Sequence, residues 1–247
     1  MIASTLSAQQ LLALAAVVIF SSIVTSIAGF GFGLMSVPLM SLTIELHSAV
    51  IISTILALVV NATHVYRFWH LRAPAITRRL CISTALGAPF GFRIFDLVSD
   101  RTLRLILGIV ILIAVVALIR GLDLAHAGPA LDWTTGFLSG VLATSIGTSG
   151  PPLVVGLQAR KLSTDQVRST LPIVFLLSGA LALVLFVGSG NIHTNELVTS
   201  AVALPGLGLG MLIGFPLRRR FSAERFRMLV FVLLVITAVT TIAKALL

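Results

Sequence analysis

Ala28-Gly29-Phe30-Gly31-Phe32-Gly33-Leu34-Met35-Ser36-Val37-Pro38-Leu39 interrupts the first apolar run of the chain. That run begins at Leu11 and, up to Ala28, approaches the roughly 20 residues that a helix needs to cross a bilayer. Glycine weakens a helix and admits positive φ, and proline lacks a donor and suits the first turn of a new helix. The stretch therefore reads as an unwound break followed by a short helix. A second break, Thr144-Ser145-Ile146-Gly147-Thr148-Ser149-Gly150-Pro151-Pro152-Leu153, interrupts the segment 132–159 in the same way.

Working outward, further apolar runs cover 50–65, 103–119, 172–187, 197–217 and 228–247. Of 247 residues, 57% are hydrophobic and 10% charged. A soluble domain has about a quarter of its residues charged, so this chain cannot cover a water-facing surface. The runs are continuous rather than alternating, which disfavours a β-barrel. The net charge of +9 reads as loops meeting anionic lipid, since no basic stretch is long enough for a nucleic-acid-binding domain. Met1–Gln10 has no Lys or Arg, so it lacks the n-region of a signal peptide, and 11–28 reads as retained membrane structure. Cys81, the single cysteine, reads as a small buried hydrophobe.

The chain repeats itself. Gly87, Gly91, Phe92, Ser99 and Arg104 match Gly210, Gly214, Phe215, Ser222 and Arg227 at an offset of 123 residues. Both copies carry GxxxG, the spacing for close helix packing. Upstream, at an offset of 117, Gly33 falls on Gly150, Val50 on Val167 and Ser53 on Thr170. The expected organisation is two transmembrane repeats, 1–125 and 126–247. Each has about four hydrophobic segments and opens with a broken or re-entrant helix.

Loop charge bears on topology. If every segment crosses, the best orientation puts 11 basic residues inside and 6 outside; if 132–159 enters and leaves on one side, 13 lie inside and 4 (Arg93, Arg101, Arg104, Lys244) outside. The positive-inside rule prefers the second arrangement. Repeat symmetry extends it to 11–44. Three crossings per repeat then invert one repeat relative to the other, as in many secondary transporters.

Unwound backbone at membrane depth survives only where protein or a water-filled cavity satisfies it, and a helix N-terminus there offers free N–H groups to an anion. The candidate contacts are Gly31, Phe32, Gly33 and Ser36 in the first break, with Thr148, Ser149, Gly150 and Pro151 in the second. Pro38 and Pro151 are expected to start the half-helices. Arg93 and Arg168 could attract an anion or contact lipid. Asn61 and His64 share a helix face at i and i+3; they read as a polar interfacial end beside Tyr66, Trp69 and His70, or as gating residues, and supply too few ligands for a metal.

At these residues the sequence resembles the TauE/SafE sulfite-exporter family. The first motif is carried by Gly29, Gly31, Gly33, Pro38, Leu39, Ala49, Val50 and Ser53. The second is carried by Gly147, Gly150, Pro151, Pro152, Arg168 and Thr170. The resemblance spans nearly the whole chain, with departures at Phe30, Phe32, Thr148 and Ser149. It implies an all-α membrane transporter in a bacterial inner membrane, exporting a small anion such as sulfite, an organosulfonate or sulfoacetate, without a cofactor. An anion channel is the alternative. An intramembrane enzyme is disfavoured, because no GxSxG, HExxH or paired membrane aspartates occur. The expected partners are a small anion and the bilayer, with no nucleic acid; nothing specifies an oligomeric state.

Overall fold

A computed structural model describes residues 8–120, 128–160, 162–217, 235 and 238–243. Nine α-helices fill most of that range. In chain order they are α1 (Ala8–Ala28), α2 (Phe32–Met40), α3 (Leu46–Phe68), α4 (Pro74–Leu97), α5 (Asp100–Arg120), α6 (Gly128–Ile146), α7 (Gly150–Ala159), α8 (Thr164–Gly188) and α9 (Thr194–Leu217). A single 3-10 turn, Trp69–Leu71, joins α3 to the loop before α4. Helices α1, α3, α4, α8 and α9 are long and apolar enough to cross a membrane. Large apolar side chains such as Phe90, Val184 and Leu212 point outward, as lipid contact requires and water would penalise. The arginines at 218–227, Lys161, Lys244 and most of the apolar run 228–247 lie outside the described residues.

Glycine sets how closely the long helices approach. A Cβ at Gly87 or Gly91 on α4 would fall on the Phe137 or Val141 carbonyl of α6. From the other side, one at Gly140 would fall on the Thr84 carbonyl. The Thr144 hydroxyl, one turn on, donates to the Ala88 carbonyl at 2.7 Å. On α9, a Cβ at Gly210 would lie 2.5 Å from the Ile19 carbonyl of α1, and one at Gly214 2.6 Å from Ser26 Cβ. Each GxxxG thus packs its helix against the helix that opens the other half of the chain. α3 and α8 pack against each other between these pairs.

Two segments fold back on themselves. α1 is long enough to cross a bilayer, yet Gln10 Nε2 near its start donates to the Thr43 carbonyl just past α2 at 3.2 Å. Likewise Asp132 near the start of α6 meets Arg160 just past α7, Oδ1 to Nε 3.7 Å. In both segments the break is the tip of a hairpin whose two ends meet.

Those meeting points lie at opposite ends of the bundle. At the first, Asp100 Oδ1 accepts the Leu46 and His47 N–H groups at 2.6 and 3.2 Å, which caps α3. Arg104 donates to Asp100 and to the Ser41 and Ile44 carbonyls behind α2. The Ser48 hydroxyl donates to Glu196 at 2.8 Å. Here the acids Glu45, Asp96, Asp100 and Glu196 gather, and we call it the acidic end. At the other, Arg79 Nε donates to Asp132 at 2.8 Å, and the Arg67 guanidinium stacks 4.6 Å over the Phe215 ring. This arginine-rich end also carries Arg72, Arg78, Arg160 and Arg168.

Candidate substrate site between the two breaks

Three glycines in the breaks adopt left-handed φ: +86° at Gly29, +99° at Gly31 and +65° at Gly147. In that region a side chain is strained, so glycine is required at each bend. Gly31 is the N-cap of α2 and has no side chain to satisfy the first turn. The helix therefore starts at Phe32, earlier than proline placement suggested. Pro38 lies in its last turns and does not open it. Pro151, by contrast, is the second residue of α7 and fits the first turn, as expected.

The two breaks meet. A Cβ at Gly33 would overlap the Gly147 carbonyl, and the Thr148 hydroxyl lies 3.5 Å from the Gly33 carbonyl. Beside this crossing is a cavity of about 50 Å³, against the 10–15 Å³ or so that one ordered water needs. Gly31, Phe32, Gly33 and Leu34 line it from the first hairpin. Ala143, Gly147, Ser149 and Gly150 line it from the second, and Thr54, Ala57 and Asn61 of α3 with Phe175, Ser178 and Gly179 of α8 close its sides.

The N-terminus of an α-helix leaves its first N–H groups without intrahelical partners. In α2 these belong to Phe32, Gly33 and Leu34, all of which line the cavity. In α7 prolines occupy the second and third positions, so Gly150 is its one first-turn donor on the cavity lining. The hairpins thus contribute unequally: α2 mainly backbone N–H groups, and the second break mainly the Ser149 hydroxyl. No carboxylate or metal-ligand cluster lines the cavity among the described residues.

Other sequence candidates sit elsewhere. Ser36 is buried, and its hydroxyl pairs with Ser53 at 2.6 Å, binding α2 to α3 behind Gly33. Asn61 lines the cavity, but His64 does not. Its ring is buried and packs 5.3 Å from Phe215 and 6.2 Å from Phe68. The i, i+3 pair is therefore divided, and His64 is not an interfacial side chain, whereas Tyr66 is 90% exposed. Arg93 is exposed near the end of α4 and away from the cavity. Arg168 lies against Gly29 rather than in the cavity lining. Thr54, Phe175, Ser178 and Gly179 were not expected. One signal was available: the offset of 117 that pairs Ser53 with Thr170 also pairs Asn61 with Ser178.

The sequence model of the family described as "Sulfite exporter TauE/SafE" matches residues 14–241. The chain belongs to this family. It is 30% identical over 156 residues to the probable inner membrane transporter protein TsaS of Comamonas testosteroni, covering 61% of this chain and 64% of that one. It is 27% identical over 135 residues to the probable sulfite/organosulfonate exporter TauE of Cupriavidus necator, covering 54% and 53%. The matches thus span less than two thirds of either relative's length. No solved structure matches. The TauE/SafE description and both relatives' names are those of transporters, not enzymes, and the apolar helices make the chain an integral membrane protein.

Proposed function

We propose that this chain is a secondary transporter that exports a small sulfur oxyanion, sulfite or an organosulfonate, across a bacterial inner membrane. The observation that carries the reading is the convergence of the N-termini of the two half-helices, α2 and α7, on one cavity. The Phe32, Gly33, Leu34 and Gly150 N–H groups and the Ser149 hydroxyl would bind the anion. Partial charges on oriented N–H groups favour an anion without placing a full positive charge in the bilayer, which is costly. The relatives named as inner membrane and sulfite/organosulfonate transporters support the substrate class and the location.

The two hairpins read as re-entrant halves of an inverted repeat, 1–125 and 126–247. Their meeting ends lie at opposite faces, and each GxxxG helix packs on the opposite half. The arginine-rich end is cytoplasmic by the positive-inside rule. Alternating access would open the cavity to each face in turn as one hairpin bends at Gly29 and Gly31, the other at Gly147.

A thermal-shift screen of the purified protein against sulfite, sulfate, thiosulfate, sulfoacetate and short carboxylates tests the site. A stabilising anion should lose its effect in Ser149→Leu and Gly150→Leu; a shift that survives both puts the site elsewhere. Channel-scale unitary currents in a planar bilayer would sink the carrier reading in favour of an anion channel.

A further inference from the structure

We propose that Arg168 draws the anion into the site from the arginine-rich face, and that Gly29 is the seat of its stem. The inference rests on the transporter reading above. The stem of Arg168 lies across the first break: a Cβ at Gly29 would sit 3.1 Å from Arg168 Cγ and 3.7 Å from Cδ. With φ at +86° and the stem this close, any side chain at position 29 would be strained and would push the arginine aside.

Arg168 also shares a face of α8 with the cavity. Arg168, Phe175 and Ser178 follow at spacings of seven and three, the helical repeat of one stripe. Phe175 and Ser178 line the cavity, and Phe175 is about 10 Å along the helix from Arg168. An arginine side chain spans much of that distance. Arg79, Arg104 and Arg160 each have a carboxylate within 4 Å. Among the described residues, none lies that close to Arg168. Its charge is therefore free to act on a passing anion.

The charge is one-sided. The offset of 117 that maps Gly33 onto Gly150 maps Ile51 onto Arg168. The corresponding stripe of α3 carries Ile51, Leu58 and Asn61, with no cation. The acidic end instead presents Glu45 and Glu196 around a larger pocket of about 590 Å³, whose one arginine, Arg104, is paired with Asp100. An anion meets an attractive charge on one side of the crossing and carboxylates beyond the other.

The test is sulfite flux into inside-out membrane vesicles, which expose the arginine-rich face, for wild type, Arg168→Met and Arg168→Lys. Methionine keeps an apolar stem against Gly29 and removes the charge; lysine keeps the charge. Arg168→Met is expected to raise KM about three- to tenfold while kcat stays within about twofold. Arg168→Lys should restore most of the loss, and raised salt should narrow the gap between wild type and Arg168→Met. An unchanged KM in Arg168→Met overturns the inference, as does an equal loss in both variants, which would mark a packing role. If wild type moves neither sulfite, thiosulfate nor sulfoacetate, the transporter reading fails and takes this inference with it.

Discussion

Gly33→Ala is the sharpest test of the crossing. The added methyl carbon would overlap the Gly147 carbonyl oxygen, and Ser53 Oγ would stand 3.8 Å away on another side. A backbone oxygen cannot rotate aside, so the hairpins must part by more than about 1 Å to reach ordinary contact at 3.5–4.0 Å. Overpacking of this kind costs about 1–3 kcal/mol. The functional effect should be larger than the effect on stability. A displacement of about 1 Å stretches an N–H···O bond of about 2.9 Å beyond useful range. A hydrogen bond to a charged group is worth about 1.5–3 kcal/mol, so losing one weakens anion binding by about ten- to a hundredfold. The assay is the concentration of sulfite giving half the maximal thermal shift, with flux in proteoliposomes as the second readout. Gly208→Ala is the control: nothing lies within 4 Å of its added Cβ, and alanine in a helix is favoured by about 0.5–1 kcal/mol. If Gly33→Ala binds and moves sulfite as wild type does, the breaks do not form the site.

Three further outcomes follow from the packing. Arg79→Met should lower stability by about 1–3 kcal/mol and Arg160→Met by less than about 1; thermal melts in detergent should rank them so, because Asp132 is 2% exposed and Arg79 is 2.8 Å from it against 3.7 Å for Arg160. Ser36→Ala and Ser53→Ala should each cost about 1–3 kcal/mol by stranding the other hydroxyl; the double variant should cost less than their sum, and additive melts would mean the 2.6 Å pair is not a coupled bond. In a Cys81→Ser background, Gln10→Cys and Thr43→Cys should react with an impermeant thiol reagent from one face of the membrane and Tyr66→Cys from the other; labelling of Gln10→Cys and Thr43→Cys from opposite faces would refute the re-entrant first hairpin.

The breaks were legible because their cause is local. Clustered glycines and a following proline disfavour helix wherever they occur, so Gly29–Gly33 and Gly147–Pro152 could be read from residue types alone. The fold-back of 132–159 was legible more faintly, through loop arginines that respond to the membrane rather than to neighbours. Where α2 begins was not legible. Pro38 is a good first-turn residue by propensity, but the left-handed bend at Gly31 had already opened the helix six residues earlier. The division of Asn61 from His64 was hidden for another reason. Three residues along a helix separate side chains by about 60°, enough for one to meet α8 at the cavity and the other Phe215 of α9. Which neighbour each meets depends on how α8 and α9 pack around α3, and helical periodicity carries no such information.

The close packing explains why that arrangement can hold a polar site in an apolar chain. Between membrane helices the hydrophobic effect gives little, so contact depends on close approach and hydrogen bonds. α4 and α6 meet through glycine on both sides and through the Thr144–Ala88 and Thr84–Gly136 bonds. α1 and α9 meet through glycine on α9 against Ile19, Ser22 and Ser26. These two seams hold the long arms of both hairpins. The short arms, α2 and α7, carry the exposed N–H groups and join the long arms through glycine bends at one end and through clasps at the other. The clasps that close the hairpins differ in kind. Gln10 holds Thr43 by one neutral hydrogen bond, with Arg104 reinforcing the end of α2. Asp132 holds Arg160 and Arg79 by charge. Asp132 is buried, so salt screens this clasp little, and removing the cations is what should loosen the second hairpin selectively. In Arg79→Met combined with Arg160→Met, hydrogen exchange at 150–159 should rise while that at 32–40 stays constant, and a parallel rise in both would show that the clasps do not hold the hairpins independently.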